Sequence, residues 1–189
     1  MSATMRVPSD AANLERPYDG VARAFHWVVV LLVAAQFTTK LILPFVLPKS
    51  AEDGINAWHL SIGSTILLVM VLRLLWRLTH RPPPPPTDLP PALQFVSRAN
   101  HWLFYILLIA LPLGGWISAN AFGATVYLAG LVPLPALVAQ NKEFAEQVGD
   151  LHGAGALLLL ALIALHICGA LYHAYVKRDG VARRMLPSG

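Results

Sequence analysis

Two histidines, His152 and His166, stand fourteen positions apart in an apolar run that continues to Val176. On an α-helix this offset is about 21 Å of rise, and the side-chain direction returns to within roughly 40° of its start. Both imidazoles then project from one face, one near each side of a bilayer whose hydrocarbon core is about 30 Å thick. Ionisable residues inside membrane spans are costly, so two on one face call for a ligand or a cavity. Haem iron meets that need, because imidazole is one of its standard axial ligands.

The elements that must carry these residues follow from composition. Of 189 residues, 56% are hydrophobic and only 13% charged, with a mean hydropathy of +0.57. That is far from an ordinary soluble composition. Four apolar stretches, about 21–43, 57–78, 100–119 and 151–176, each approach the roughly 20 residues a spanning helix needs. The expected fold is all-α, an integral membrane four-helix bundle. A polar N-terminal arm over 1–20 precedes the dihaem-sized membrane domain of 21–176, and a basic tail over 177–189 follows it. The polar arm and the lack of a small-x-small cleavage site argue that the first stretch is a helix and not a signal peptide.

The net charge of +4 reads as topology and not as nucleic-acid binding. Arg6, Arg16 and Arg23 lie before or at the start of the first span. Arg73, Arg77, Arg81 and Arg98 flank the second connection, and Lys177, Arg178, Arg183 and Arg184 follow the fourth span. The opposite side holds only Lys40, Lys49 and Lys142. Eleven against three is a strong positive-inside bias and predicts both termini in the cytoplasm. The second connection, with five prolines at 82–86 and two more at 90–91, reads as a stiff extended spacer. The third connection, about 120–150, is the largest outside segment, and its 142–148 stretch is expected to form an interfacial helix or lid.

With that orientation the histidines sort by depth. His26 lies near the inner end of the first helix, and His59 near the outer end of the second. His152 begins the fourth helix outside, and His166 lies about 21 Å further in. His59 then pairs with His152 outside and His26 with His166 inside, giving two bis-imidazole sites. A compact zinc or copper site wants its ligands within a few ångströms of one ion, so two pairs this far apart fit haem better. No Cys-x-x-Cys-His is present and the single cysteine is Cys168, so any haem is held non-covalently. Arg73 and Lys40 repeat the fourteen-residue register from His59 and His26, and are candidates to meet anionic haem propionates. Interfacial snorkelling explains either lysine or arginine equally simply. Gly63 and Gly155 follow the ligand faces, where small residues admit a flat macrocycle or a neighbouring helix. His80 reads as a surface residue, and His101 as an interface or functional one. His173, about 10 Å beyond His166, is too remote to ligate the same iron and reads as a proton donor beside the inner haem or as an interface anchor.

The pieces Arg23, Ala24, Phe25, His26 and Trp27; Trp58 and His59; Leu151, His152 and Gly153; His166 with Tyr172 and His173; and the closing run from Lys177 to Pro187 resemble the bacterial cytochrome b-561 family. The likeness extends from Arg16 to Pro187. It implies a four-helix inner-membrane protein with two b-type haems, ligated by His26, His59, His152 and His166. It also implies electron exchange between ubiquinone and a second redox partner, with His173 at the quinone site. A member of this kind acts either as a superoxide:ubiquinone oxidoreductase or as an electron carrier. Related cytochrome b subunits of hydrogenases and dehydrogenases pass electrons to or from quinone inside larger complexes.

The charge distribution carries its own test. Cysteine labelling from the periplasm is expected to modify a probe at Gln140 and to miss one at Thr87. The reverse pattern would exchange the sides of both histidine pairs.

Overall fold

The computed structural model describes residues 17–80, 82–84 and 89–186. Most of the N-terminal arm, the last two prolines of the 82–86 run, the Thr87 labelling position and the last three residues lie outside them. Four helices are long and apolar enough to cross a membrane: α1 (Gly20–Leu41), α2 (Glu52–Thr79), α3 (Pro91–Ala121) and α4 (Lys142–Leu171).

Each helix has a local reason to start where it does. The Asp19 side chain caps α1, its Oδ1 accepting the Ala22 N–H at 2.8 Å. α2 carries Glu52 and Asp53 in its first turn, where negative charge suits the helix dipole. Pro91 opens α3 at a position that requires no N–H. Asn141 caps α4 by accepting the Phe144 N–H at 3.1 Å. These signals move two boundaries from where hydropathy put them. α3 begins at Pro91 and not near residue 100, and α4 begins at Lys142 and not near residue 151. Residues 142–148, expected as a separate interfacial helix or lid, are instead the first two turns of α4. Their polar faces hide them from a hydropathy window, but nothing interrupts the backbone ladder.

The helices pack in sequence order, α1 on α2, α2 on α3 and α3 on α4, with no comparable seam between α1 and α4. One apolar cluster ties all four together through Val29, Ile66, Met70, Leu108 and Leu159. Large side chains such as Leu31, Leu78, Leu151 and Leu157 point outward and are each more than two-thirds exposed. On a soluble protein that would be a liability, whereas a lipid-facing helix requires it.

The two ends of the bundle are closed differently. At one end, the α3–α4 connection forms a small antiparallel hairpin, β1 (Tyr127–Leu128) with β2 (Val132–Pro133). Ala129 and Gly130 have φ of +51° and +73°, and the Leu131 N–H closes the turn on the Leu128 carbonyl at 3.0 Å. Both central residues at positive φ make a tight type I′ turn, which matches the twist of the paired strands. The hairpin lies over α2, where the Ser64 hydroxyl donates to the Tyr127 carbonyl at 2.9 Å. Buried Asn120 holds its base, donating to the Ala124 carbonyl at 3.0 Å and accepting the Leu137 N–H at 2.9 Å.

At the other end the chain's tail folds back on the start of α1. After α4 a π-helical stretch, Tyr172–Lys177, leads to a 3₁₀ turn, Ala182–Met185. Trp27 Nε1 donates to the Met185 carbonyl at 2.8 Å and Arg23 donates to the Leu186 carbonyl at 3.0 Å. Buried Arg184 donates to the Pro84 carbonyl at 2.9 Å, which joins the tail to the proline-rich connection. Trp76 Nε1 reaches the other oxygen of Asp19 at 3.3 Å. Four crossings bring both described ends of the chain to this side.

Asn120→Ala is expected to loosen the hairpin end specifically. It strips a partner from two backbone groups, at a cost of about 1–3 kcal/mol for each that water does not reach. A lower melting temperature with faster proteolysis between residues 122 and 140 is the expected result. Unchanged cleavage would show that the hairpin is held by its other contacts.

Candidate functional site

The four ligand candidates meet as two pairs, each joining α4 to another helix. At the hairpin end, His59 of α2 faces His152 of α4 with ring centroids 6.1 Å apart and ring planes at 73°. At the tail end, His26 of α1 faces His166 of α4 at 6.3 Å and 61°. Two imidazoles sharing one metal ion, with metal–nitrogen bonds of about 2 Å, would have ring centroids about 6 Å apart once the ring radii are added. Both pairs have that spacing. Among the described residues no group of three or more His, Cys, Asp or Glu converges on a single ion position.

The hairpin-end pair shows how the ring nitrogens are assigned. Thr39 donates its hydroxyl proton to the Gln36 carbonyl at 2.6 Å. Its oxygen is then left to accept from His59 Nδ1–H at 3.0 Å. His59 Nε2 therefore carries a lone pair, and the Gln36 side-chain amide donates to it at 3.1 Å. His152 Nδ1–H donates to the Leu111 carbonyl at 2.9 Å, which leaves its Nε2 unprotonated as well. These tautomers follow from the hydrogen-bond network. They are the tautomers metal binding requires, with Nδ1–H engaged by an oxygen and Nε2 unprotonated, the Gln36 amide now standing at the His59 lone pair.

Space at this pair is set by missing side chains. Both histidines line a cavity of about 310 Å³, its mouth included, together with Gln36, Gly63, Ser64, Pro112, Gly115, Trp116 and Val126. A Cβ on Gly115 would stand 3.2 Å from His152 Cε1, and one on Gly63 would stand 3.3 Å from the Gln36 amide nitrogen. Val126, only 1% exposed, roofs the cavity from the hairpin side. Gly155, singled out on the ligand face, serves packing instead, since a Cβ there would meet Leu111 Cδ2 at 2.6 Å.

The tail-end pair is more crowded with aromatic edges. His101 and Phe104, both on α3, each stand 5.4 Å from the His166 ring at 88°. His101 Nδ1–H donates to the Ser97 carbonyl at 2.6 Å. Arg73 lies within electrostatic reach of His26, His101 and His166, with its guanidinium carbon 5.7 Å from the Tyr105 ring centroid. Lys40 is exposed at the end of α1, where it donates to the Asn56 side-chain oxygen. His80 is exposed and stacks on Trp76 at 3.7 Å.

His173 stands apart from both pairs. Its Nδ1–H donates to Asp179 Oδ2 at 2.6 Å, and the two side chains are only 16% and 18% exposed. His173 borders a cavity of about 260 Å³, its mouth included, lined also by Ala174, Arg178, Gly180, Ala182 and Arg183.

Sequence reasoning did not single out Gln36, Thr39 or Asp179. Gln36 and Thr39 are polar residues three apart within an apolar span, and polar groups there are expensive enough to mark a site. Asp179 had no such signal, because it lies in a polar tail.

The family described as Prokaryotic cytochrome b561 matches residues 17–188 of this chain. Among curated proteins, the chain is 30% identical over 181 residues to cytochrome b561 homolog 2 of Escherichia coli K12, covering 92% of this chain and 93% of that protein. It is 29% identical to a probable superoxide oxidase, CybB, of Yersinia pestis, over 92% of this chain and 98% of the relative. Cytochrome b561 homolog 1 of E. coli is 28% identical over 86% of this chain and 92% of its own length. The chain belongs to the prokaryotic cytochrome b561 family, multi-pass helical proteins of the bacterial inner membrane that bind haem b and transfer electrons.

Proposed function

We propose that this chain carries electrons across the membrane through two b-type haems and exchanges them with ubiquinone. His59 and His152 hold one haem at the hairpin end, and His26 and His166 hold the other at the tail end. The observation that carries this reading is the pair of imidazole–imidazole separations, 6.1 Å and 6.3 Å, offset by fourteen residues along α4. Bound there, each haem would supply one-electron transfer. Arg73 faces the tail-end pair and is the favoured propionate partner there. Lys40, held on Asn56, serves the hairpin-end propionates less directly, near enough for its charge alone.

The eleven-to-three charge bias puts the tail end in the cytoplasm and the hairpin end outside. Ubiquinone then meets the chain near His173, where protons are available from cytoplasmic water. Oxidation of superoxide at the hairpin end is the favoured electron source, supported by the probable superoxide oxidase among the relatives. The acidic residues there, Glu52, Asp53, Glu143, Glu146 and Asp150, outnumber Lys40, Lys49 and Lys142. Long-range steering of an anion is accordingly weak.

A reduced-minus-oxidised spectrum with haem counted per chain tests the reading, and two haems are expected. His59→Ala or His152→Ala should remove mainly one haem, and His26→Ala or His166→Ala the other. Gly115→Val should crowd His152 and cost the first haem. The same change at Gly153, where a Cβ meets nothing within 4 Å, should cost none. One haem or none per chain, after expression with ample haem, would refute the two-site assignment.

A further inference from the structure

We infer that Asp179 is a positioning residue for quinone chemistry, fixing the ring and proton of His173 from a turn outside the membrane span. The inference rests on the reading that His173 serves ubiquinone, and it adds a residue which that reading does not contain. The His173–Asp179 contact is short, 2.6 Å, and largely shielded from solvent. A carboxylate accepts from Nδ1–H, so the only ring nitrogen left for a ligand is Nε2. An oriented carboxylate also stabilises the imidazolium when Nε2 takes a second proton, as in the Ser-His-Asp arrangement.

The carboxylate is itself held in place. Asp179 Oδ1 accepts the Val181 N–H at 3.1 Å, closing an Asx turn across Gly180. Arg178 and Gly180 flank it at φ of +53° and +75°, so the chain reverses on either side of the aspartate. A tail that only needed to leave the membrane would not require two left-handed residues around one acid. Arg178 and Arg183 line the cavity that His173 borders, giving it donors suited to carbonyl oxygens.

The proton balance is simple. Reducing ubiquinone to ubiquinol takes two electrons, which the proposed haem pair could store one apiece, and two protons. His173 Nε2–H gives one proton to a quinone oxygen and is reprotonated from cytoplasmic water, while the second proton comes from water directly. Ubiquinol oxidation runs the same transfers in reverse.

The test follows reoxidation of the dithionite-reduced holoprotein by a short-chain ubiquinone over a range of quinone concentrations, with haem content measured on each preparation. His173→Ala should slow the maximal rate by about 10²–10⁴-fold, as expected for a lost proton-transfer group. Asp179→Asn keeps an acceptor for Val181 but offers His173 an N–H, which forces the wrong tautomer. It should lower the maximal rate about 10–100-fold, the loss typical when the partner orienting a ring is removed. KM and both haems should stay unchanged, and Asp179→Glu should recover much of the rate. A wild-type rate in Asp179→Asn would overturn the inference and leave the His173 reading intact. Slowing that tracks haem loss, or a rise in KM alone, would make Asp179 a tail anchor and also overturn it. A wild-type rate in His173→Ala would remove both.

Discussion

A neutral imidazole in hydrocarbon must find partners for both ring nitrogens, and this requirement organises the bundle. Four histidines inside apolar helices cannot be solvated, so each is brought to another ring and, where Nδ1 is visible in the network, to an oxygen of a neighbouring helix. Thr39 and the Leu111 carbonyl perform that service for His59 and His152. α4 contributes to both pairs while packing mainly on α3. Its link to α1 runs through His26 and His166 rather than through a backbone seam. Burial of a polar group without a partner costs several kcal/mol, so these contacts constrain helix placement alongside the apolar cluster around Met70.

The two ends answer to different demands. The hairpin end is roofed by backbone, with Val126 and the β-turn over α2, and its polar residues serve the histidine pair. The tail end is stitched by long-range donors to backbone carbonyls, from Trp27, Arg23 and Arg184. The same tail carries Asp179, which pairs with His173. The two ends of the bundle are thus closed by different means, one by a hairpin and one by the returning tail, and α4 runs between them.

Hydropathy made the four spans legible, and the fourteen-residue interval in α4 foreshadowed two depths of histidine. The pairing partners also agreed with depth alone, His59 with His152 and His26 with His166. What escaped was whatever depends on contact between helices or on caps. α3 and α4 begin at Pro91 and Lys142, each nine residues ahead of its apolar window, because a polar first turn lowers mean hydropathy without weakening the helix. The approach of His101 to His166 requires the α3–α4 packing angle, which no periodicity encodes. Lys40 shared a register with His26, yet its ammonium ends on Asn56, since a flexible stem near a helix end takes the nearest acceptor. Asp179 looked like one charge among many in a basic tail until the turn at Gly180 aimed it inward.

The π-helical stretch at Tyr172–Lys177 has a mechanical meaning. A π turn admits one more residue than an α turn for nearly the same advance along the axis. The rotation of everything downstream is thereby uncoupled from the rotation of His152 and His166. The upper part of α4 can keep its two rings at the azimuth their partners demand. The tail, meanwhile, is free to swing to the different azimuth from which it grips Trp27 and Arg23. Without that slack, one rigid screw would have to satisfy two incompatible phases.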